Sequence, residues 1–290
     1  MNDLTKIREL YPFKSNFINI NGHQYHYLNE GSGSPVVMVH GNPTWSFFFR
    51  NLVKRLSSNH QVVVPDHMGC GLSDKPQNYM YRLENHVGNL ENLVTSLKLE
   101  NITLIVHDWG GAIGMGFAMR HSALIKRIII LNSAAFSFNW IPLRIALCRL
   151  PFIDDFMMRR ANVFVRAAQT MTTVKPMPEL VKYGFRMPYD SYENRIAIHR
   201  FVQDIPMSPN DISFEPLLET EHGLWMFRGL PIALIWGMKD WCFSPKILER
   251  WKIYYPEAEV HEIANAGHFL LEDANDEIND IIEDFLLRYP

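Results

Sequence analysis

Cysteine is scarce in this chain of 290 residues: Cys70, Cys148 and Cys242 are far apart and odd in number. That argues against a disulfide framework, fits a reducing cytoplasm, and leaves no pair at metal-ligand spacing. An excess of charge of one sign is also missing. Lys and Arg number 28 against 31 Asp and Glu, for a net charge of −3. The basic residues form no stripe, so no nucleic-acid partner is expected. No apolar run reaches the length of a membrane span. The richest stretch, 133–150, is broken by Asn139, Pro142, Arg144 and Arg149. The first residues, Met1-Asn2-Asp3-Leu4-Thr5-Lys6, have no apolar core and do not read as a secretion signal. There is no internal repeat and no G-x-S-x-G, which argues against serine-esterase chemistry.

What is present is an ordinary globular composition, 47% hydrophobic and 12% aromatic, at a length that suits one sizeable core with an inserted subdomain. Residues 17–20 and 24–28 flank Asn21-Gly22, a hairpin signal. A short apolar run at 35–40 is followed by helical spacing at 46–56. A strand at 61–65 leads into a Gly-rich loop. Leu83, Val87, Leu90, Leu93, Val94 and Leu97 share one face of a helix. A strand at 102–106, a helix over 110–121 and a strand at 128–131 continue the alternation. This pattern predicts a mostly parallel, doubly wound α/β sheet. It breaks near residue 135 and resumes with strands at 232–236 and 259–263, helices at 247–254 and around 278–286. Three segments are therefore expected: a first core part (1–135), a helical cap (136–215) and a second core part (216–290). So long an insert is read as a lid over the active site.

Four junctions carry the chemistry. Val106-His107-Asp108-Trp109-Gly110-Gly111 lies where a strand gives way to a helix, a place that exposes a side chain at the carboxyl end of the sheet. A carboxylate there is ionised at neutral pH and needs no base to attack a saturated carbon bearing a leaving group. Taken alone, Asp108 equally suits a helix N-cap. Asn265-Ala266-Gly267-His268-Phe269 follows the last strand, where a histidine can reach the elbow. Trp236-Gly237-Met238-Lys239-Asp240 ends the strand before it, and Asp240 would orient His268 and stabilise its imidazolium form. The order nucleophile, acid, histidine is that of the α/β-hydrolase fold. The fourth, Val39-His40-Gly41-Asn42-Pro43-Thr44-Trp45, follows an early strand. Backbone N–H groups there, at Asn42, and at Trp109 would form an oxyanion hole. His40 reads as a structural residue.

Together with Asp66-His67-Met68-Gly69-Cys70-Gly71-Leu72-Ser73, these motifs resemble the haloalkane dehalogenases, over nearly the whole chain. The resemblance implies that Trp109 donates its indole N–H to the leaving halide. It gives the second donor to a lid tryptophan or to Asn42. Residues 141 to 224 contain no Trp, so Asn42 takes that role. It also implies Asp240 as the acid, since Asn132 and Ser133 stand where a competing subfamily carries Glu. The run 195–206, with Asn132-Ser133-Ala134-Ala135-Phe136, resembles the third dehalogenase subfamily and equally the β-lactone decarboxylases of bacterial olefin biosynthesis.

The expected activity is carbon–halogen cleavage through an aspartyl ester that His268-activated water hydrolyses. The alternatives are a β-lactone decarboxylase giving a cis-olefin and CO2, an epoxide hydrolase using Tyr183, Tyr189 or Tyr192, and a non-catalytic binder on the same fold. Neither metal nor organic cofactor is implied. The expected ligand is a small apolar substrate, in a pocket shaped by Phe152, Phe156, Met157, Met158, Phe164 and Met171. A homo-oligomer or lipid-pathway enzyme partners are compatible with the sequence.

Overall fold

The computed structural model describes residues 4–138, 140–150 and 154–290. Its frame is one sheet of eight strands: β1 (Asn16–Ile20), β2 (His23–Glu30), β3 (Ser34–Val39), β4 (His60–Pro65), β5 (Ile102–Asp108), β6 (Ile125–Ser133), β7 (Ile232–Gly237) and β8 (Glu259–Ile263). Their order across the sheet is β1-β2-β4-β3-β5-β6-β7-β8. The expected hairpin is there: β1 and β2 pair antiparallel, with Ile20 opposite His23, and the turn residues Asn21 and Gly22 take φ of 52° and 87°. From β4 onward every pairing is parallel. The central strands are buried along their length, which is why β5 (Ile-Thr-Leu-Ile-Val-His-Asp) and β7 (Ile-Ala-Leu-Ile-Trp-Gly) read as unbroken apolar runs rather than alternating ones.

Helices α1 (Arg50–Leu56), α2 (Leu83–Leu97) and α3 (Trp109–Arg120) lie between the early strands. Sequence spacing predicts one helix over 46–56. Instead Ser46–Phe49 forms a 3-10 turn ahead of α1, because Asp66 Oδ1 accepts the Ser46 N–H and draws the segment onto the loop after β4. Between β6 and β7 the described residues form only helices: α4 (Leu143–Leu147), a π-helical segment (Asp155–Arg160), α5 (Val163–Met171), α6 (Glu179–Arg186), α7 (Ile196–Gln203) and α8 (Phe214–Gly223), with short 3-10 turns. The chain closes with α9 (Pro245–Tyr254), α10 (Leu270–Asp273) and α11 (Asn275–Arg288). Among the described residues no helix is long and apolar enough to cross a membrane.

Two apolar layers cover the sheet. On one face Val37, Val106 and Ile130 meet α2, α3 and α9; on the other Met38, Ile105 and Ile235 meet α1 and α11. The carboxyl ends of β3, β5, β6 and β7 are left facing the helices that follow β6, and there the side chains singled out by sequence converge.

Candidate active site

Asp108 ends β5 and caps α3 with φ 54° and ψ −127°. A non-glycine residue held there stores roughly 1–3 kcal/mol of strain, and the surroundings enforce it. A side chain on Gly110 would place Cβ 1.9 Å from the Val39 carbonyl oxygen, and one on Gly41 would place Cβ 1.9 Å from Asp108 Oδ1. Glycine at these two positions lets the β3 loop and the elbow touch. Ser133 Oγ donates to the Asp108 carbonyl at 2.6 Å and fixes the turn from the neighbouring strand.

The Asp108 carboxylate is divided between two tasks. Its Oδ1 accepts the Asn42 backbone N–H at 2.6 Å, and the Trp109 backbone N–H also donates to the carboxylate. Its Oδ2 stands 3.4 Å from His268 Nε2. Burial acts to raise this carboxyl's pKa, but the His268 hydrogen bond and charge, with help from His107 and Trp109, hold it below the usual carboxylate range. Asp108 is therefore an anion.

His268 Nδ1 donates to Asp240 Oδ2 at 2.8 Å. Burial opposes its protonation, yet the Asp240 and Asp108 carboxylates outweigh burial and push its pKa up to about 10. The imidazole plane stacks on Phe243 at 5.4 Å and 11°. His107 stays neutral, its pKa driven down to about 3 chiefly by burial, and its Nε2–H donates to the His268 carbonyl at 2.9 Å.

The structure thus brings together Asp108, His268, Asp240, Asn42 and Trp109. His40 turns both ring nitrogens to backbone: Nδ1–H donates to Gly41 O at 2.7 Å and Nε2 accepts the His67 N–H at 3.1 Å. The Asn42 amide is oriented by one bond, Nδ2 donating to Ile198 O at 3.2 Å, while its Oδ1 is buried without a partner among the described residues. The Trp109 indole packs edge-on against Phe201 at 5.7 Å, and its N–H has no protein acceptor among the described residues.

Two residues escape a reading of the sequence. Asn132, at φ 31°, donates through Nδ2 to Asp240 Oδ2 at 2.9 Å and accepts the Gly237 N–H at 2.7 Å through Oδ1. In the sequence it registers as the absence of a glutamate and as part of a family-like run, not as a partner of Asp240. Asp273 ties the histidine loop to the end of α5: its Oδ2 accepts Gly267 N–H at 2.8 Å, and its carboxylate accepts Val174 N–H at 2.9 Å and Lys175 N–H at 2.8 Å. The sequence signal for Asn132 is an asparagine ending a β-branched strand, where a positive φ is tolerated; for Asp273 there is none.

Asn42, Asp108, Trp109 and His268 form the floor of a cavity of about 470 Å³. Of the aromatic and Met residues expected to shape it, Met157, Phe164 and Met171 line it, whereas Met158 is fully buried elsewhere and Phe156 is 57% exposed. Phe152 lies outside the described residues. More of the wall comes from Phe136, Phe138 and Trp140 at the very start of the insert, and from Trp241 and Phe243 beyond it, after β7. Trp140, one residue ahead of the Trp-free stretch 141 to 224, stands at the rim, and Trp241 Nε1 donates to the Met171 carbonyl at 2.6 Å. None of Tyr183, Tyr189 and Tyr192 lines this cavity. Tyr189 donates to Thr44 O at 3.0 Å and Tyr192 to Asp155 at 2.8 Å, so both hydroxyls are engaged elsewhere.

A family profile described as alpha/beta hydrolase fold matches residues 34–275. A cis-3-alkyl-4-alkyloxetan-2-one decarboxylase of Shewanella oneidensis is 45% identical over 284 residues, covering 96% of this chain and 89% of that protein. A haloalkane dehalogenase 2 of Mycobacterium bovis is 31% identical, covering 95% of this chain and 96% of its own. Among solved structures, a haloalkane dehalogenase of Agrobacterium tumefaciens C58 superposes with a TM-score of 0.86 at 23% identity, over 96% of this chain and 97% of that one.

Proposed function

This chain belongs to the alpha/beta hydrolase family, and on that premise we propose that it is a β-lactone decarboxylase that uses Asp108 as a covalent nucleophile. The observation that carries this reading is the 45% identity, over 96% of the chain, to an oxetan-2-one decarboxylase, against 31% to a dehalogenase. The apolar cavity of about 470 Å³, which a helical cap over residues 136–215 helps to wall, suits two alkyl chains better than a polar substrate.

The chemistry follows from the carboxylate's division. The Asn42 N–H holds Oδ1, so Oδ2, on the His268 side, attacks the ring carbon that bears the lactone oxygen. The C–O bond breaks with inversion, and the ring opens to a β-acyloxy carboxylate esterified to Asp108. In that adduct the new ester oxygen is antiperiplanar to the carboxylate. The C–C bond to the carboxylate then supplies its electron pair to the alkene, CO2 departs, and Asp108 leaves as a carboxylate. Inversion followed by anti fragmentation equals net syn cleavage, so a cis-lactone gives a cis-alkene. No water is consumed. The N–H pair and imidazolium His268 stabilise the departing Asp108 anion, and Asp240 keeps His268 charged and oriented.

A second reading, dehalogenation, is favoured by the free Trp109 indole N–H beside Asp108, a donor suited to a halide. There Asp108 displaces halide in the same way, but the ester is hydrolysed. Alkylation removes the Asp108 charge, the pKa of His268 falls, and the neutral imidazole becomes a base. Incubation with a long-chain cis-dialkyl β-lactone and, separately, with 1-bromoalkanes separates the readings. Cis-alkene from the lactone, absent with Asp108→Ala, supports the first. Bromide release alone would replace it with the second.

A further inference from the structure

A second cavity, of about 370 Å³, lies among the helices between β6 and β7 and shares no lining residue with the catalytic one. Four arginines line it, Arg160, Arg166, Arg186 and Arg195, against a single acid, Asp190. Arg160 is paired with Asp155 at 3.2 Å outside the cavity wall. Arg166 and Arg186 make no side-chain hydrogen bond or ion pair to any described residue. Arg195 is only 7% exposed. Its Nε donates to the Ser191 carbonyl at 2.7 Å, but neither terminal nitrogen donates to a described residue. Burial lowers its pKa; Asp190 opposes that, and the charges of Arg166 and Arg159 reinforce it. Arg195 is the buried one of the four, and a buried guanidinium whose terminal nitrogens meet no carboxylate is costly unless an anion joins it.

We propose that this cleft binds a phosphoryl group, as a phosphate monoester or a diphosphate. The guanidinium fork matches phosphate oxygens two at a time. A dianion bridges two forks at once, whereas a lone carboxylate satisfies one. Tyr183 lines the same wall, and Lys6 Nζ stands 5.3 Å from its ring centroid, adding positive potential. The cleft also has a mechanical link to the catalytic cavity. Helix α5 separates them: Val163, Ala167 and Met171 face the catalytic cavity, and Arg166, with Asn162 just ahead of the helix, faces the cleft. The inference stands apart from the lactone reading, since it uses no catalytic residue.

The test is pyrophosphate binding by titration calorimetry to the full-length protein, compared with an Arg166→Ala/Arg186→Ala double variant whose fold is verified by circular dichroism. Both side chains lie at least partly at the surface, and Arg195→Lys provides a milder second variant. The expected result is binding that the double variant weakens at least about tenfold, the equivalent of one charge-assisted hydrogen bond. A parallel arm measures sedimentation with phosphatidic acid–phosphatidylcholine vesicles, whose phosphatidic acid headgroup is a phosphate monoester. Vesicle binding that the double variant loses supports the site with a lipid headgroup as source. Pyrophosphate binding without vesicle binding supports it with a soluble ligand. Absence of both, or binding unchanged in both variants, overturns it.

Discussion

Asn132 Nδ2 donates to Asp240 Oδ2 at 2.9 Å, the same oxygen that receives His268 Nδ1 at 2.8 Å. The other oxygen, Oδ1, accepts the N–H groups of Cys242 at 2.6 Å and Phe243 at 3.0 Å. The acid is thus held through both oxygens, one by its own loop and the other by a residue near the end of β6 and by the histidine.

Replacing Asn132 by Leu removes that bond and leaves the Gly237 N–H buried without its acceptor. The expected cost is about 1–3 kcal/mol of stability, with turnover lowered roughly tenfold while KM changes little. Denaturant unfolding and steady-state kinetics check this. Wild-type turnover in a stably folded variant would mean that Asp240 is positioned without Asn132.

The raised pKa of His268 has a consequence for stability. It is about 10 in the fold against an ordinary value of 6.5. A raised folded pKa stabilises fully below the ordinary value and is lost as pH climbs through the folded one. Stability relative to a His268→Gln variant should therefore fall between pH 7 and pH 10.5, by up to about 4 kcal/mol. A flat difference across that window would show that His268 is neutral in the free enzyme. Asp108→Asn, which removes one of the two carboxylates, should lower the His268 pKa measured by NMR titration.

His268→Ala separates nucleophilic attack from the release of Asp108. With a 1-bromoalkane the variant should accumulate an alkyl ester on Asp108, seen as a mass increase of the alkyl group, because attack needs no base and hydrolysis does. With a β-lactone the variant should slow alkene release and carry an adduct of the intact lactone's mass. Undiminished turnover with either substrate would remove His268 from the mechanism.

Ala167 lies on the cavity face of α5. Ala167→Phe fills part of the space above the floor and should shift preference toward shorter alkyl chains by roughly tenfold in kcat/KM, within the range that one or two methylenes command in an apolar pocket. An unchanged chain-length profile would place the alkyl chains elsewhere.

Much of this is legible in the chain because strand ends punctuate it. His-Asp-Trp-Gly-Gly at a strand-to-helix junction, Asp240 after one strand and His268 after the next locate three side chains from sequence alone, since the parallel sheet delivers strand ends to one edge. Asn21-Gly22 likewise dictates its hairpin. The hidden features depend on contacts across long sequence separations. Asn132 reaches Asp240 across 108 positions, and Asp273 reaches Val174 across 99; neither leaves a periodic trace. The cavity wall is obscured for a related reason. Aromatic content points to the insert, but Phe138 and Trp140 lie in the loop at its very start and Trp241 and Phe243 lie beyond it, and periodicity says which face is buried without saying what it faces. The arginine-lined cleft is likewise invisible, because Arg160, Arg166, Arg186 and Arg195 are spread over four helical segments and look scattered in sequence.

The central claim is that Asp108 opens the lactone ring and is regenerated without water. Its most direct test is a single turnover of a long-chain cis-dialkyl β-lactone in H2(18)O, with the alkene identified by gas chromatography and the Asp108 peptide weighed by mass spectrometry. The expected result is cis-alkene, no hydroxy acid and no heavy oxygen in Asp108, together with loss of all product in Asp108→Ala. Heavy oxygen in the Asp108 carboxylate, with an unlabelled hydroxy acid in place of the alkene, would contradict it and make the enzyme a hydrolase of its ester intermediate; a labelled hydroxy acid would contradict it as well, by showing water attacking the lactone directly.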